Sequence, residues 1–111
     1  MRFFVLSLLL LSACGGALSE GKSDFIKGRY AEARDTFLAV EWESRSWSDA
    51  RRAEYALYRG LTHGALGDVA AAGVWLREAK AIEDSSPGSL TTEDLSRLKV
   101  ALKQLDATPS P

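Results

Sequence analysis

An internal repeat of 39 residues is the feature that most constrains how this chain can fold. A glycine followed at helical spacing by small and apolar side chains occurs twice in the same order. The first copy is Gly28, Tyr30, Ala33, Phe37 and Val40, and the second is Gly67, Val69, Ala72, Leu76 and Ala79. Internal periodicity of this length is typical of arrays of stacked helical hairpins.

The repeat extends beyond these positions in both directions. Upstream, Leu18 and Gly21 correspond to Leu57 and Gly60. Downstream, the leucines of a last helical segment fall on positions of the first helix of a unit: Leu95, Leu98, Leu102 and Leu105. We therefore expect two helical pairs, followed by one helix that begins a third unit.

Local signals indicate where the helices begin and end. Gly28 and Gly67 predict breaks between paired helices, because glycine accepts the backbone conformation that commonly ends a helix. Ser48 and Asp68 are predicted N-caps, since their side-chain oxygens can accept hydrogen bonds from the first helical turn. These signals place the ends of both helical pairs.

Polar segments separate the helical stretches, and no run of residues has the alternating pattern of a β-strand. We expect loops over residues 43–46 and 84–89, and a last helix that begins at Thr91 or Thr92. The sequence therefore predicts an all-α fold of antiparallel helical hairpins, arranged as a solenoid of about two and a half repeats.

The amino terminus has the layout of a secretory signal. Arg2 is followed by an apolar stretch from Phe3 to Leu11 and then by small residues. This stretch is too short to span a bilayer, which needs about 20 residues of helix. The segment Leu11-Ser12-Ala13-Cys14 resembles the lipobox of bacterial lipoproteins. By that resemblance, Cys14 is diacylated on its thiol and the chain is cleaved in front of it. A secretory signal that happens to contain a cysteine is the alternative.

The lipobox resemblance also implies a domain organisation and a location. Together with the helical pattern that begins near Leu18, it divides the chain into a signal peptide (1–13), an acylated tether (14–17), a helical domain (18–106) and a disordered tail (107–111). Cys14 is the only cysteine, so it has no disulfide partner within the chain. In Gram-negative lipoproteins, an aspartate after the acylated cysteine often signals retention in the inner membrane. Because Gly15 occupies that position, we expect the outer membrane, with the domain facing the periplasm.

The charge of the remaining chain excludes some classes of partner. Residues 14–111 number 98, with 13 basic and 15 acidic side chains and a formal charge of −2. Such a balance provides no long-range attraction for nucleic acid or anionic lipid. The pair Arg51-Arg52 is too short to act as a basic run. We therefore expect acyl chains, rather than net charge, to hold the protein at a membrane.

The two repeat copies resemble a known helical family. Gly28-Arg29-Tyr30-x-x-Ala33-x-x-x-Phe37 resembles the signature of tetratricopeptide (TPR) repeats. Leu66-Gly67-Asp68-x-x-x-Ala72-x-x-x-Leu76-x-x-Ala79 resembles it again. The spacing of 39 residues exceeds the usual 34, which places an insertion around residues 43–48. Ala56 also departs from the pattern, since a large aromatic residue is usual early in the first helix.

The TPR resemblance implies a binding surface. In such arrays the first helix of each pair lines a concave groove that suits an extended peptide or a helix from a partner. By that resemblance the groove is lined by Glu54, Leu57, Tyr58, Leu61, Arg97 and Val100. The alternative is that Leu57, Tyr58 and Leu61 pack in the core. We favour this alternative for Leu61 and leave both interpretations open for Tyr58.

The sequence offers little material for catalysis. His63 is the only histidine and Cys14 the only cysteine, so no second histidine or cysteine exists to complete a zinc set. We interpret His63 as a packing or surface residue. The adjacent acids Glu83 and Asp84 are expected to point apart at a helix end and to be solvated. We therefore expect no enzymatic activity, no metal and no cofactor besides the covalent lipid on Cys14.

Three tryptophans are a large number for one small domain. Trp75 is expected to pack between helices, since it adjoins Leu76 in the second repeat. Trp42 and Trp47 flank the inserted segment, where they either cover the end of the first hairpin or form a contact patch. The covering role is the favoured interpretation.

The resemblances together imply a function. Helical arrays usually need about three units for stability, so we expect a homodimer or a partner that completes the stack. The expected function is that of an adaptor or assembly factor that binds another envelope protein or its peptide segment. The most specific form of this hypothesis is a role like that of pilotins, small TPR lipoproteins that assist secretin or pilus assembly. The alternatives are a structural spacer at the membrane, or an envelope lipoprotein that binds a small ligand or acts as an enzyme.

Overall fold

The computed structural model describes residues 16–107, and these residues form six helices. Helix α1 is described over residues 16–26. The others are α2 (Tyr30–Ala39), α3 (Glu41–Ser44), α4 (Asp49–Ala65), α5 (Val69–Ser85) and α6 (Thr92–Ala107). No strand occurs between residues 16 and 107, so the predicted all-α class is confirmed.

The helices pair as hairpins around one apolar core. Helices α1 and α2 form the first hairpin, and α4 and α5 form the second. Helix α4 also packs against α2, while α6 packs against α5 and α4. The buried core draws on both hairpins and α6, and its largest apolar side chains are Phe37, Tyr55, Leu57, Tyr58, Leu76 and Leu98.

The repeated glycines explain how the two hairpins close. A Cβ atom at Gly21 would lie less than 3.0 Å from three atoms of the Phe37 ring. A Cβ atom at Gly60 would lie 2.7 Å from Leu76 Cγ. Each glycine therefore makes room for the large side chain that lies 16 positions later, on the second helix of its own hairpin. The 39-residue sequence repeat therefore reflects the use of the same contact, between a glycine and a large side chain, in both hairpins.

The turns and caps that the sequence predicts are present. Gly28 and Gly67 have φ angles of 79° and 84°, values that favour glycine. The Ser48 hydroxyl accepts a hydrogen bond from Arg51 N, and the Asp68 carboxylate accepts one from Ala71 N. At α6 the capping side chain is Thr91, whose Oγ1 accepts a hydrogen bond from Asp94 N at 3.2 Å.

Four boundaries differ from the prediction. Residues 84 and 85, predicted as loop, belong to α5, which ends at Ser85. Residues 43 and 44 belong to the one-turn helix α3 rather than to a loop, because the α2 axis breaks at Val40 and helical geometry resumes at once. Residues 16 and 17, predicted as tether, are already helical, and α6 includes Ala107. The signal peptide, Cys14, Gly15 and residues 108–111 lie outside the described residues.

Helix α6 presents a polar outer surface. Lys99 stands 39 residues after Gly60, at the position where each hairpin needs a glycine, and it is exposed along with Ser96 and Lys103. A large side chain is tolerated at Lys99 because no later helix packs against it within residues 16–107. A polar outer face is typical of the helix that caps a repeat array.

Candidate functional site

Helices α1, α4 and α6 bring charged side chains together on one side of the molecule. Lys22 on α1 forms an ion pair with Glu54 on α4, and their side chains are 29% and 28% exposed. The Lys22 ammonium also lies 5.1 Å from the centre of the Tyr58 ring, a cation–π contact. We call this side of the molecule the inner face: Lys22, Glu54 and Arg97 are its accessible charged residues, and the buried Tyr58 and Asp94 lie beneath them.

The other half of the inner face is a hydrogen-bonded triad. The Tyr58 hydroxyl donates to Asp94 Oδ1 at 2.8 Å and accepts from Arg97 Nη1 at 2.6 Å. Arg97 Nη1 also lies 3.1 Å from Asp94 Oδ1. Burial, with the adjacent Asp94 carboxylate, raises the pKa of Tyr58 to about 12, so the phenol stays protonated near neutral pH. Only Arg97 extends from this triad into solvent, with 48% of its side chain exposed.

The structure separates the six predicted groove residues into two groups. Glu54, Arg97 and Val100 are accessible, and Val100 is 58% exposed. Leu57 and Tyr58 are 0% and 2% exposed, so the prediction that they line an open groove is corrected. Both pack in the core, because α4 lies between the first hairpin and α6 and is covered on most of its circumference. Leu61 is partly buried against the same core.

Two residues of the inner face were missed in the sequence analysis. Lys22 lies 39 residues before Leu61, so the repeat itself could have identified it. Asp94 could not be found this way, because its equivalent in the second hairpin is Tyr55, a core residue. Its role depends on the contact between α4 and α6, which no local pattern encodes.

A second polar cluster surrounds Arg59 on another side of α4. The Arg59 guanidinium forms an ion pair with Glu41, lies 4.0 Å from the centre of the Trp75 ring and donates to the Tyr55 hydroxyl. Its Nε donates to His63 Nε2 at 3.3 Å. Burial, together with the Arg59 charge, lowers the pKa of His63 and favours the neutral imidazole that can accept this bond. This cluster therefore anchors α3 to the second hairpin.

The three tryptophans have different environments. Trp75 is partly buried between Arg59 and the edge of Tyr55. Trp47 is also partly buried, with its ring centre 5.6 Å from that of Tyr55, as expected of a residue that covers the core. Trp42 is 78% exposed and contacts the Arg45 guanidinium at 4.9 Å. The predicted covering role thus fits Trp47, whereas Trp42 lies on the surface.

The acidic pair at the end of α5 has structural contacts. Glu83 accepts hydrogen bonds from Gly88 N at 2.9 Å and Leu90 N at 3.1 Å, which holds the loop before α6. Asp84 pairs with Lys80 at 2.6 Å. Between residues 16 and 107, no three or more His, Cys, Asp and Glu side chains are grouped so that they could hold a metal ion. In the same range, no helix has the length and apolar character needed to cross a membrane.

Comparison with known proteins identifies no relative. No protein-family model matches the sequence, and neither a curated protein nor a solved structure shows significant similarity to the chain. The observed class is therefore an all-α protein of helical hairpins, and its function must be inferred from its own residues.

Proposed function

We propose that this chain is a lipid-anchored adaptor of the bacterial envelope, whose inner face binds a segment of another envelope protein. The anchor in this proposal is Cys14, acylated as the lipobox resemblance implies, and the membrane is the outer membrane on its periplasmic side. The proposal includes a role in assembly, as in pilotins. It assigns no catalytic residue.

The geometry of the hairpins supports a TPR-like domain. Both hairpins use a glycine on the first helix, a large side chain on the second and a positive-φ glycine between them. Ala33 and Ala72, the small residues of the TPR signature, are 0% and 1% exposed. In a stack built this way, the first helices share one side of the array, which is the side occupied by the inner face.

The observation that carries the proposal is the chemistry of that side. It has a polar strip, with Glu54 and the Arg97 guanidinium accessible, next to an apolar strip nearer the C-terminal ends of the same helices. Ile26 follows Lys22 by four residues, Leu61 follows Tyr58 by three and Val100 follows Arg97 by three, so helical spacing puts them one turn further along the same faces. Ile26 and Val100 are 67% and 58% exposed, and Leu61 is partly buried. We call these three residues the apolar strip. Exposed apolar residues beside charged ones suit an amphipathic partner segment, whose apolar side chains they would bury.

Affinity purification of the acylated protein from solubilised membranes tests this proposal. We expect one envelope protein in stoichiometric amount with the unaltered chain, and loss of it with Val100→Asp or Arg97→Glu. Lys99→Glu is the matched control, because Lys99 is exposed on the same helix but points away from the inner face. Circular dichroism should be unchanged in all three variants. Recovery of the chain alone would overturn the adaptor proposal and favour the structural spacer.

The small-ligand alternative also has a location. A cleft of about 330 Å³ lies between α3, α4 and α5 and includes Arg52, Trp75 and Glu78. Arg52 and Glu78 are 3.5 Å apart and pair with each other across it, so their charges are already balanced. This cleft therefore supports small-ligand binding less well than the accessible residues of the inner face support the binding of a partner protein.

A further inference from the structure

We propose that one exposed edge of the domain, the tryptophan edge, inserts into the phospholipid headgroup layer of the membrane that carries the lipid anchor. The tryptophan edge comprises Trp42, Arg45, Trp47 and Arg51, and this proposal rests on the proposed lipid anchor. Its consequence is a fixed orientation: the domain would stand on this edge instead of rotating freely about its tether.

The position of the edge in the fold is the first argument. Helices α1 and α2 run antiparallel, and Gly21 lies against Phe37. The same register places residue 16 level with residues 41 and 42, where α3 begins. Leu18, Ser19 and Lys22 of α1 line one cleft with Arg51. The start of α1 and the tryptophan edge therefore lie at the same end of the molecule.

The length of the tether is the second argument. One residue, Gly15, separates Cys14 from residue 16, which is already helical, so two peptide steps join them. That length of chain spans at most about 7 Å when extended. Acyl chains on Cys14 would therefore hold this end of the domain within reach of the headgroups, and the tryptophan edge with it.

The side-chain chemistry is the third argument. Trp42 is 78% exposed, although it is one of the largest apolar side chains in the domain. Arg45 stacks on Trp42, and Arg51 stacks on Trp47 at 4.5 Å. Tryptophan is enriched at membrane–water interfaces, where its ring lies at headgroup level. Arginine beside it can lay its aliphatic part on the ring while its guanidinium stays at the polar layer.

The charges at the tryptophan edge favour contact with anionic headgroups, although the net charge of the chain does not. Among residues 16–107, neither Arg45 nor Arg51 forms an ion pair. Glu41 is paired with the buried Arg59, and Glu54, which lines the same cleft as Arg51, is paired with Lys22. Glu43 is left as the acidic side chain beside the two tryptophans. Two unpaired guanidiniums therefore oppose one carboxylate at this edge, and a phosphate-rich surface complements that balance.

Quenching of tryptophan fluorescence by brominated phospholipid tests the proposal directly. The full acylated protein is incorporated into vesicles of phosphatidylethanolamine and phosphatidylglycerol, with or without bromine on the acyl chains near the headgroups. We expect brominated lipid to quench roughly a third of the emission, the share of one tryptophan among three. Trp42→Phe should abolish this quenched fraction. Arg45→Glu with Arg51→Glu should reduce it, whereas the matched control Lys103→Glu on α6 should leave it unchanged.

The possible failures are distinct. If the protein floats with the vesicles but its tryptophans are not quenched, the lipid anchor is supported. The proposal that the tryptophan edge lies among the headgroups is then overturned. If the protein does not float with the vesicles, the proposed anchor itself is wrong. Quenching that persists in Trp42→Phe at full amplitude would also overturn the assignment of this edge. So would a dimer in detergent that Trp42→Phe dissociates, because a second copy would then cover the edge.

Discussion

The two hairpins of this protein are alike where their helices touch and different where they end. Each closes through a glycine that accepts a large side chain, Phe37 against Gly21 and Leu76 against Gly60. The first hairpin then continues into α3 and the tryptophan edge, whereas the second continues into a loop and α6. The shared contacts specify the core. The features that we connect with function lie largely in the segments that the two hairpins do not share. Trp42, Arg45 and Trp47 follow the first hairpin, and Asp94 and Arg97 begin α6, although their partners Arg51 and Tyr58 belong to α4.

Truncating the two large side chains should have the largest effect on stability. Phe37→Ala should lower the free energy of unfolding by about 3–5 kcal/mol and Leu76→Ala by about 2–5 kcal/mol, since both are fully buried and leave cavities. Urea denaturation followed by circular dichroism measures both values. If one variant were destabilised and the other were not, the two contacts would not be equivalent.

Filling the space beside these side chains should have the next largest effect. Gly60→Ala places a Cβ atom 2.7 Å from Leu76 Cγ and 3.0 Å from Leu76 N, and a backbone atom cannot rotate away. We expect a loss of about 1–3 kcal/mol from this overpacking. Gly21→Ala should behave in the same way against the buried Phe37 ring.

Gly64→Ala is the matched control on the same helix. Its Cβ atom would lie 3.7 Å from Ala72 Cβ, an ordinary contact. Because alanine is a better helix former than glycine, this variant should be unchanged or more stable by up to about 1 kcal/mol. Equal effects of Gly60→Ala and Gly64→Ala would contradict the role given to the repeated glycine.

Removing one hydroxyl group should distinguish the contribution of the inner face to stability from that of the core beneath it. Tyr58→Phe keeps the buried ring but deprives Asp94 and Arg97 of their shared partner. We expect a loss of about 1 kcal/mol, because Arg97 still pairs with the buried carboxylate. Thermal unfolding measures this change, and partner capture by Tyr58→Phe should be weakened less than by Arg97→Glu. A loss as large as that of Phe37→Ala would mean that the triad is part of the core.

The smallest effect concerns the pH dependence of stability. The pKa of His63 is lowered in the folded state relative to its unfolded value of about 6.5, so the unfolded chain binds more protons as the solution is acidified. Stability should therefore be highest above pH 6.5 and should decrease as the pH falls below it. His63→Gln keeps an acceptor for Arg59 but cannot titrate near neutrality. This variant should show a flatter stability profile between about pH 7.5 and 5.5.

The sequence predicted the helices well because their signals are local. Gly67 with Asp68 marks a turn and a cap within two residues, and the structure has both. The inner face was only partly predictable. The 39-residue spacing correctly related the first helices of the units, but it could not distinguish Leu57, which is buried, from Val100, which is exposed. That distinction depends on how many neighbours each helix has, a property of the assembled fold.

The most direct test of the proposed function is site-specific photo-crosslinking in living cells. A photoreactive amino acid would replace Val100 on the inner face or, as the matched control, Val74 on α5. These two valines are 58% and 62% exposed, so they differ mainly in the side of the molecule on which they lie. We expect one envelope protein to crosslink from position 100 and none from position 74. Crosslinks to the same protein from position 74 alone, or from neither position, would contradict the inner face as the binding surface.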